Sequence, residues 1–161
     1  MKWIAIHDIS PSIGPEKSKG LLCFHAFTGC DVVSAFRGKG NRSAWQTSNV
    51  CPEASTVYRK LSQYPLVIGE DDQSILEKFV VTIYDRSSAT DSIDAARLKL
   101  FARKQRSYDS TLRTQAALIQ HIKRAAYQAC CILDQATISQ MEFNSTADWN
   151  WKKQGDMWLV F

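Results

Sequence analysis

The sequence predicts a mainly α fold of about six helices with one short N-terminal strand. Two observations carry that prediction. Apolar residues recur at steps of three and four, most clearly along Leu118, Ile122, Ala125, Ala129, Ile132 and Ala136. Strict alternation is confined to Lys2–Ile9, where Trp3, Ala5 and His7 oppose Ile4, Ile6 and Asp8. A lone strand cannot form a sheet, so it pairs outside this chain or lies extended on the helices. That mismatch marks the chain as the C-terminal portion of an α/β domain.

The elements follow in order. Ser10-Pro11-Ser12-Ile13-Gly14-Pro15 reads as a turn. Glu16 to Thr28 reads as one buried helix, with Gly20 inside it and Gly29 in the left-handed position that closes it. Gly38-Lys39-Gly40 is a tight turn, and Asn41 caps a helix running from Arg42 to Thr47. Pro52 opens the next helix, whose apolar face is Ala54, Val57, Tyr58 and Leu61, and Tyr64-Pro65 ends it. Asp72 caps a helix with the stripe Ile75, Leu76, Phe79, Val80 and Ile83. Asp91 or Ser92 opens another, with Ile93, Ala96, Leu100 and Phe101 inward. The longest helix is Thr114–Ala136. Residues 1–139 form the helical domain, and residues 140–161 form an irregular tail holding Trp149, Trp151 and Trp158. Anchoring on the body is the expected role of those tryptophans.

A hydrophobic content of 45% and a charged content of 22% are those of a globular chain, which excludes a disordered one. No apolar run is long enough to cross a bilayer, and the first residues lack a signal pattern. The expectation is an intracellular protein with reduced thiols and no membrane partner. The spacing of Cys23, His25, Cys30 and Cys51 matches no zinc module, so the cysteines read as small apolar core residues. Net charge is +4, but unevenly spread: residues 70–94 carry −5 and residues 97–124 carry +7. The second block is an electrostatic footprint for phosphate, or a solvated face beside an acidic neighbour.

One stretch carries recognisable chemistry. Phe27-Thr28-Gly29-Cys30-Asp31 ends an apolar segment with a carboxylate, and Gly38-Lys39-Gly40-Asn41-Arg42 follows as a basic, glycine-rich turn before a helix. Asp31 offers hard oxygen to a divalent metal, and the turn offers amides and charge to a phosphate. Asp31 also fits a turn or helix cap, and the glycines also fit an ordinary turn. His25, on the buried helix, reads as a hydrogen-bonded core residue.

An apolar helix, Gly-x-Asp, a glycine-rich basic turn and a helix resemble, in that order, the 5′-nuclease superfamily of flap endonucleases, XPG-type nucleases and PIN-like domains. The matching residues are Gly29, Cys30, Asp31, Gly38, Gly40, Arg42 and Ala44, within residues 20–47. Phe24–Asp31 together with Ser34–Gly40 resembles more closely a family of uncharacterised repetitive animal proteins with a diverged nuclease-like domain. The resemblance implies the C-terminal portion of a PIN-like α/β domain, located in the nucleus. It implies Asp31 as a Mg²⁺ ligand, and Gly38, Lys39, Gly40 and Arg42 as a grip on a DNA or RNA backbone. The family's other metal-binding acids lie on strands preceding the matched segment, and its hairpin has an apolar residue where Lys39 stands. The expected function is therefore a nuclease-like nucleic-acid-binding fragment that is catalytically incomplete, with no residue assigned as catalytic. Its missing N-terminal half, or a protein partner, would complete it. The alternative is a structural helical module that binds protein and has no nucleic-acid role.

Overall fold

The second half of the expected Lys2–Ile9 strand, from Ile6 on, is helical. The computed structural model describes residues 6–30, 33, 35–102, 113–134, 147 and 151–160. Within them α1 spans Ile6–Ile13 and runs through the expected turn, with Pro11 inside it. The Lys2–Ala5 part of the expected strand lies outside the described residues. Alternation over so few residues also satisfies a helix, and side-chain contacts hold this one to its neighbour. Ser18 Oγ donates to the Ser10 carbonyl at 2.9 Å, and Ser10 Oγ donates to Ser18 Oγ at 3.2 Å.

The expected Glu16–Thr28 helix is two: α2, Pro15–Lys19, and α3, Leu21–Gly29. Gly20 separates them because α5 (Pro52–Gln63) presses on it. A Cβ at Gly20 would lie 2.9 Å from both the Arg59 amide nitrogen and Tyr58 Cβ. The next helix, α4, is Asn41–Ser48 with Gly40 rather than Asn41 as its cap. In α5 Pro52 sits in the first turn, and Ala54, Val57, Tyr58 and Leu61 are buried, as their spacing requires. The helix ends at Tyr64.

α6 spans Glu70–Tyr84, opening one turn before the expected cap. Asp72 instead sits in its third position and accepts from the Gly69 amide at 3.0 Å and from Lys60 Nζ at 2.5 Å. Leu76, Phe79, Val80 and Ile83 are buried along its inner face. α7 is Ile93–Ala102; Ile93, Ala96 and Leu100 point inward, but Phe101 is 56% exposed, contrary to expectation. α8 is Gln115–Tyr127, capped by Thr114 Oγ1 accepting from the Ala117 amide at 3.3 Å. It passes directly into a π-helix, Gln128–Leu133. The tail, expected to be irregular, holds an antiparallel hairpin of β1, Trp151–Gln154, and β2, Met157–Val160. Trp151 packs on Ala126, Tyr127 and Cys131, the anchoring expected of it.

The described fold is mainly helical, and no described helix is long and apolar enough to cross a membrane. At its centre α3 lies against α5, α8 and the π-helix, while α6 packs on α4, α5, α7 and α8. The rings of Phe27, Tyr58 and Phe79 meet there at 5.5 to 6.2 Å between centroids. Cys23, Cys51 and Cys131 are buried thiols, in keeping with their reading as apolar core residues.

The acidic block of residues 70–94 has structural work to do. Glu70, Asp71 and Asp72 occupy the first turn of α6, where the helix dipole favours anions. Glu77 is buried and ties three helices together. Its Oε1 accepts from the Ile93 amide at 2.6 Å, opening α7, and its Oε2 accepts from Gln115 Nε2 at 3.1 Å, at the start of α8. Glu77→Ala orphans a buried amide, and a loss of about 1–3 kcal/mol is expected in denaturant unfolding. Glu77→Gln keeps the acceptor for Ile93 and is expected to cost less.

Candidate nucleic-acid interface

The turn is built from the core outward. Gly29 ends α3 with φ +121°, and the chain returns across it so closely that a Cβ there would lie 2.4 Å from Ala35 Cβ. Between them the Val33 amide donates to the Cys30 carbonyl at 3.2 Å. Phe36 then anchors the segment: it is buried, 5.3 Å from the ring of Phe27 and 5.2 Å from that of His121. The Lys39 amide donates back to the Phe36 carbonyl at 3.0 Å, and Gly38 sits at φ +71°, closing the expected turn. The Gly40 carbonyl accepts from the Ser43 amide at 2.9 Å and so starts α4.

Arg37, Gly38, Gly40, Asn41 and Arg42 are exposed along this edge. In the first turn of α4 the Ser43 amide is taken by the Gly40 carbonyl, and the Asn41 and Arg42 amides precede any intrahelical acceptor. Lys39 is half-buried, with its ammonium 5.5 Å from the centre of the Tyr84 ring. Tyr84 Oη donates to the Arg37 carbonyl at 3.4 Å, fastening the turn to the end of α6. Just past that end, Arg86 Nη2 donates to Gln46 Oε1 at 3.5 Å. Gln46 lies one turn beyond Arg42 on the same face of α4. Arg37, Lys39, Arg42 and Arg86 thus line one edge. The Asp85 carboxylate lies nearby, and its Oδ1 accepts from the Ser87 amide at 3.0 Å and Ser87 Oγ at 2.7 Å.

Asp31, the expected metal ligand, lies outside the described residues, so it is not placed relative to the turn. Among the described residues no three His, Cys, Asp or Glu side chains converge as a metal site. Part of the basic block, Arg103 to Leu112, and also Trp149 lie outside the described residues too. Arg86 was missed by the sequence reading because nothing local ties it to a turn more than forty residues earlier.

The buried histidine is not the expected one. His25, expected in the core, is exposed. His121 is fully buried, and its Nε2 lies 2.7 Å from the Phe27 carbonyl oxygen. A carbonyl only accepts, so Nε2 carries the proton and Nδ1 does not in the neutral ring. Burial, and then the charges of Arg113 and Arg124, hold the His121 pKa down to about 4, against the opposing pull of the Phe27 carbonyl. Its position was readable: 121 falls three residues after Leu118 and four before Ala125, on the buried stripe.

Compared with known protein families, curated proteins and solved structures, the chain matches none.

Proposed function

We propose that this chain binds the sugar–phosphate backbone of nucleic acid, without regard to sequence, through the turn Gly38–Arg42 and its basic neighbours. The support is one observation: Arg37, Lys39, Arg42 and Arg86 come to one edge beside the first-turn amides of α4, although they arise from separate elements. Lysine and arginine charge beside a helix N-terminus is the chemistry that holds phosphate oxygens. The order of Gly29, Asp31, Gly38, Gly40 and Arg42 adds the resemblance to PIN-like 5′ nucleases, in which such a turn grips the backbone away from the cut. Mg²⁺ belongs to the proposal through Asp31 alone, and no cleavage step is derived from it. Asp31→Ala is expected to weaken Mn²⁺ binding in a titration.

The main test is fluorescence anisotropy with a labelled mixed-sequence single strand. Affinity should fall steeply between about 50 and about 200 mM salt. Arg42→Glu or Lys39→Glu should weaken binding to every sequence alike and flatten the salt slope by about one ion per lost contact. Affinity indifferent to salt, or unchanged in both variants, overturns the reading. A second reading, a helical module that docks protein, draws support from Leu98 and Phe101, which are 72% and 56% exposed along α7. Failure of nucleic-acid binding together with capture of a partner lost in Leu98→Glu would favour it.

A further inference from the structure

A cleft of about 300 Å³ opens between the α4–α5 connection and the loop from α6 to α7. That volume reaches the lower end of the range for small-ligand sites, about 300–1,000 Å³. Arg86 lines it, and the same guanidinium reaches Gln46 of α4, which stands one turn beyond Arg42. The cleft thus continues the basic edge. Lys78 and Arg86 against Asp91 leave it one positive charge. In two other clefts of similar size the charges balance, Lys19 against Asp134 in one and Lys17 against Glu16 in the other.

Apart from its two cations the cleft is rich in acceptors. Thr82 Oγ1 donates to the Lys78 carbonyl at 2.8 Å, and Ser88 Oγ donates to the Thr90 carbonyl at 3.1 Å. Both hydroxyl protons are therefore committed, and each oxygen keeps a lone pair for a donor. The Asp91 carboxylate also only accepts, and its pair with Lys78, at 3.8 Å and largely exposed, is loose. Val50 and Val81 add an apolar wall. A matching ligand brings an anionic group to Arg86 and Lys78, hydrogen-bond donors to Thr82, Ser88 and Asp91, and an apolar face to the valines. A nucleoside monophosphate has all three, in its phosphate, its sugar hydroxyls and its base. We infer that the cleft binds a nucleoside monophosphate unit, with Arg86 at the phosphate. This choice of ligand rests on the backbone-binding reading, because Arg86 belongs to both sites. The unit is either a free mononucleotide or a nucleotide of the strand held on the edge.

The test is calorimetric titration of the full chain with adenosine monophosphate, which should occupy one site per chain. Adenosine, which lacks the anion, and inorganic phosphate, which lacks the sugar and base, should each bind about tenfold more weakly or worse. Arg86→Gln should weaken nucleotide binding about tenfold, and Thr82→Val, which keeps the shape and removes the lone pairs, should weaken it several-fold. Arg42→Glu should leave it in place while weakening the labelled strand. No nucleotide binding at millimolar concentration overturns the inference, as does binding that both Arg86→Gln and Thr82→Val retain, or that inorganic phosphate matches. A strand that binds where the mononucleotide does not removes the cleft and keeps the edge. A mononucleotide that binds where the strand does not keeps the cleft and removes the edge. Where both bind, displacement of the mononucleotide by the strand identifies the unit as part of that strand, and simultaneous binding identifies it as the free mononucleotide; either result supports the inference.

Discussion

Gly29→Ala is expected to destabilise the chain by about 2–5 kcal/mol, the sum of a backbone penalty and a collision. At φ +121° an alanine is strained whatever space surrounds it. Here there is none, since the new methyl would lie 2.4 Å from Ala35 Cβ and 2.8 Å from Ala35 Cα. The atoms in the way belong to a short side chain and to backbone, so neither can rotate aside. Relief requires lifting Ala35, and with it the Phe36 ring between Phe27 and His121. Urea unfolding of the variant measures the loss. Gly38→Ala is the control, because it shares the left-handed φ but meets nothing within 4 Å. It should lose only the backbone part, about 1–2 kcal/mol. Equal losses in the two variants would show that crowding at Ala35 contributes nothing.

Acid should weaken the fold through His121. Its folded pKa, about 4, lies below the ordinary value of 6.5, so folding favours the neutral ring. The stability this confers is complete above about pH 6.5, and it is lost as pH falls toward 4. A displacement of that size amounts to about 3 kcal/mol. Protonation would put a charge between the rings of Phe27 and Phe36, beside Arg113 and Arg124. Carboxylates titrate in part of the same range, so the difference between unaltered chain and variant is what isolates the histidine. His121→Gln keeps an N–H that can reach the Phe27 carbonyl but carries no titrating group. It should start less stable at pH 7 and show a shallower decline toward pH 4. Parallel stability curves for the two proteins would remove His121 from the account.

How much of this was legible in the sequence depended on how local the cause was. The inner face of α5 and most of that of α6 were readable, because apolar spacing and a first-turn proline are local signals. Gly38 was readable as a turn for the same reason. The break at Gly20 was not, because it is imposed by Tyr58 and Arg59, distant in sequence. The opening of α6 was misjudged because Asp72 satisfies a donor from inside the helix as well as a cap does from outside it. Phe101 lies five residues past Ala96, off the three-and-four step that Ile93, Ala96 and Leu100 keep, so the spacing itself argued against placing it inward. The basic edge was half legible. Lys39 and Arg42 announce themselves beside glycine, while Arg86 joins them only through the folded arrangement of α4 and α6.

The widened turn at Gln128–Leu133 has a consequence for descent. A π-turn accommodates one residue more than the α-helix around it, so side chains beyond it are rotated relative to those before it. Past it Cys131 is buried with Ala126 and Tyr127, and Ile132, the next member of the α-helical stripe, is half-buried against that second cluster rather than in the main core. Loss of a single residue there would restore ordinary winding and re-aim everything downstream. Leu118, Ile122 and Ala125 would keep their seats. Relatives of this chain can therefore differ in how their C-terminal ends are oriented while sharing the same central helices.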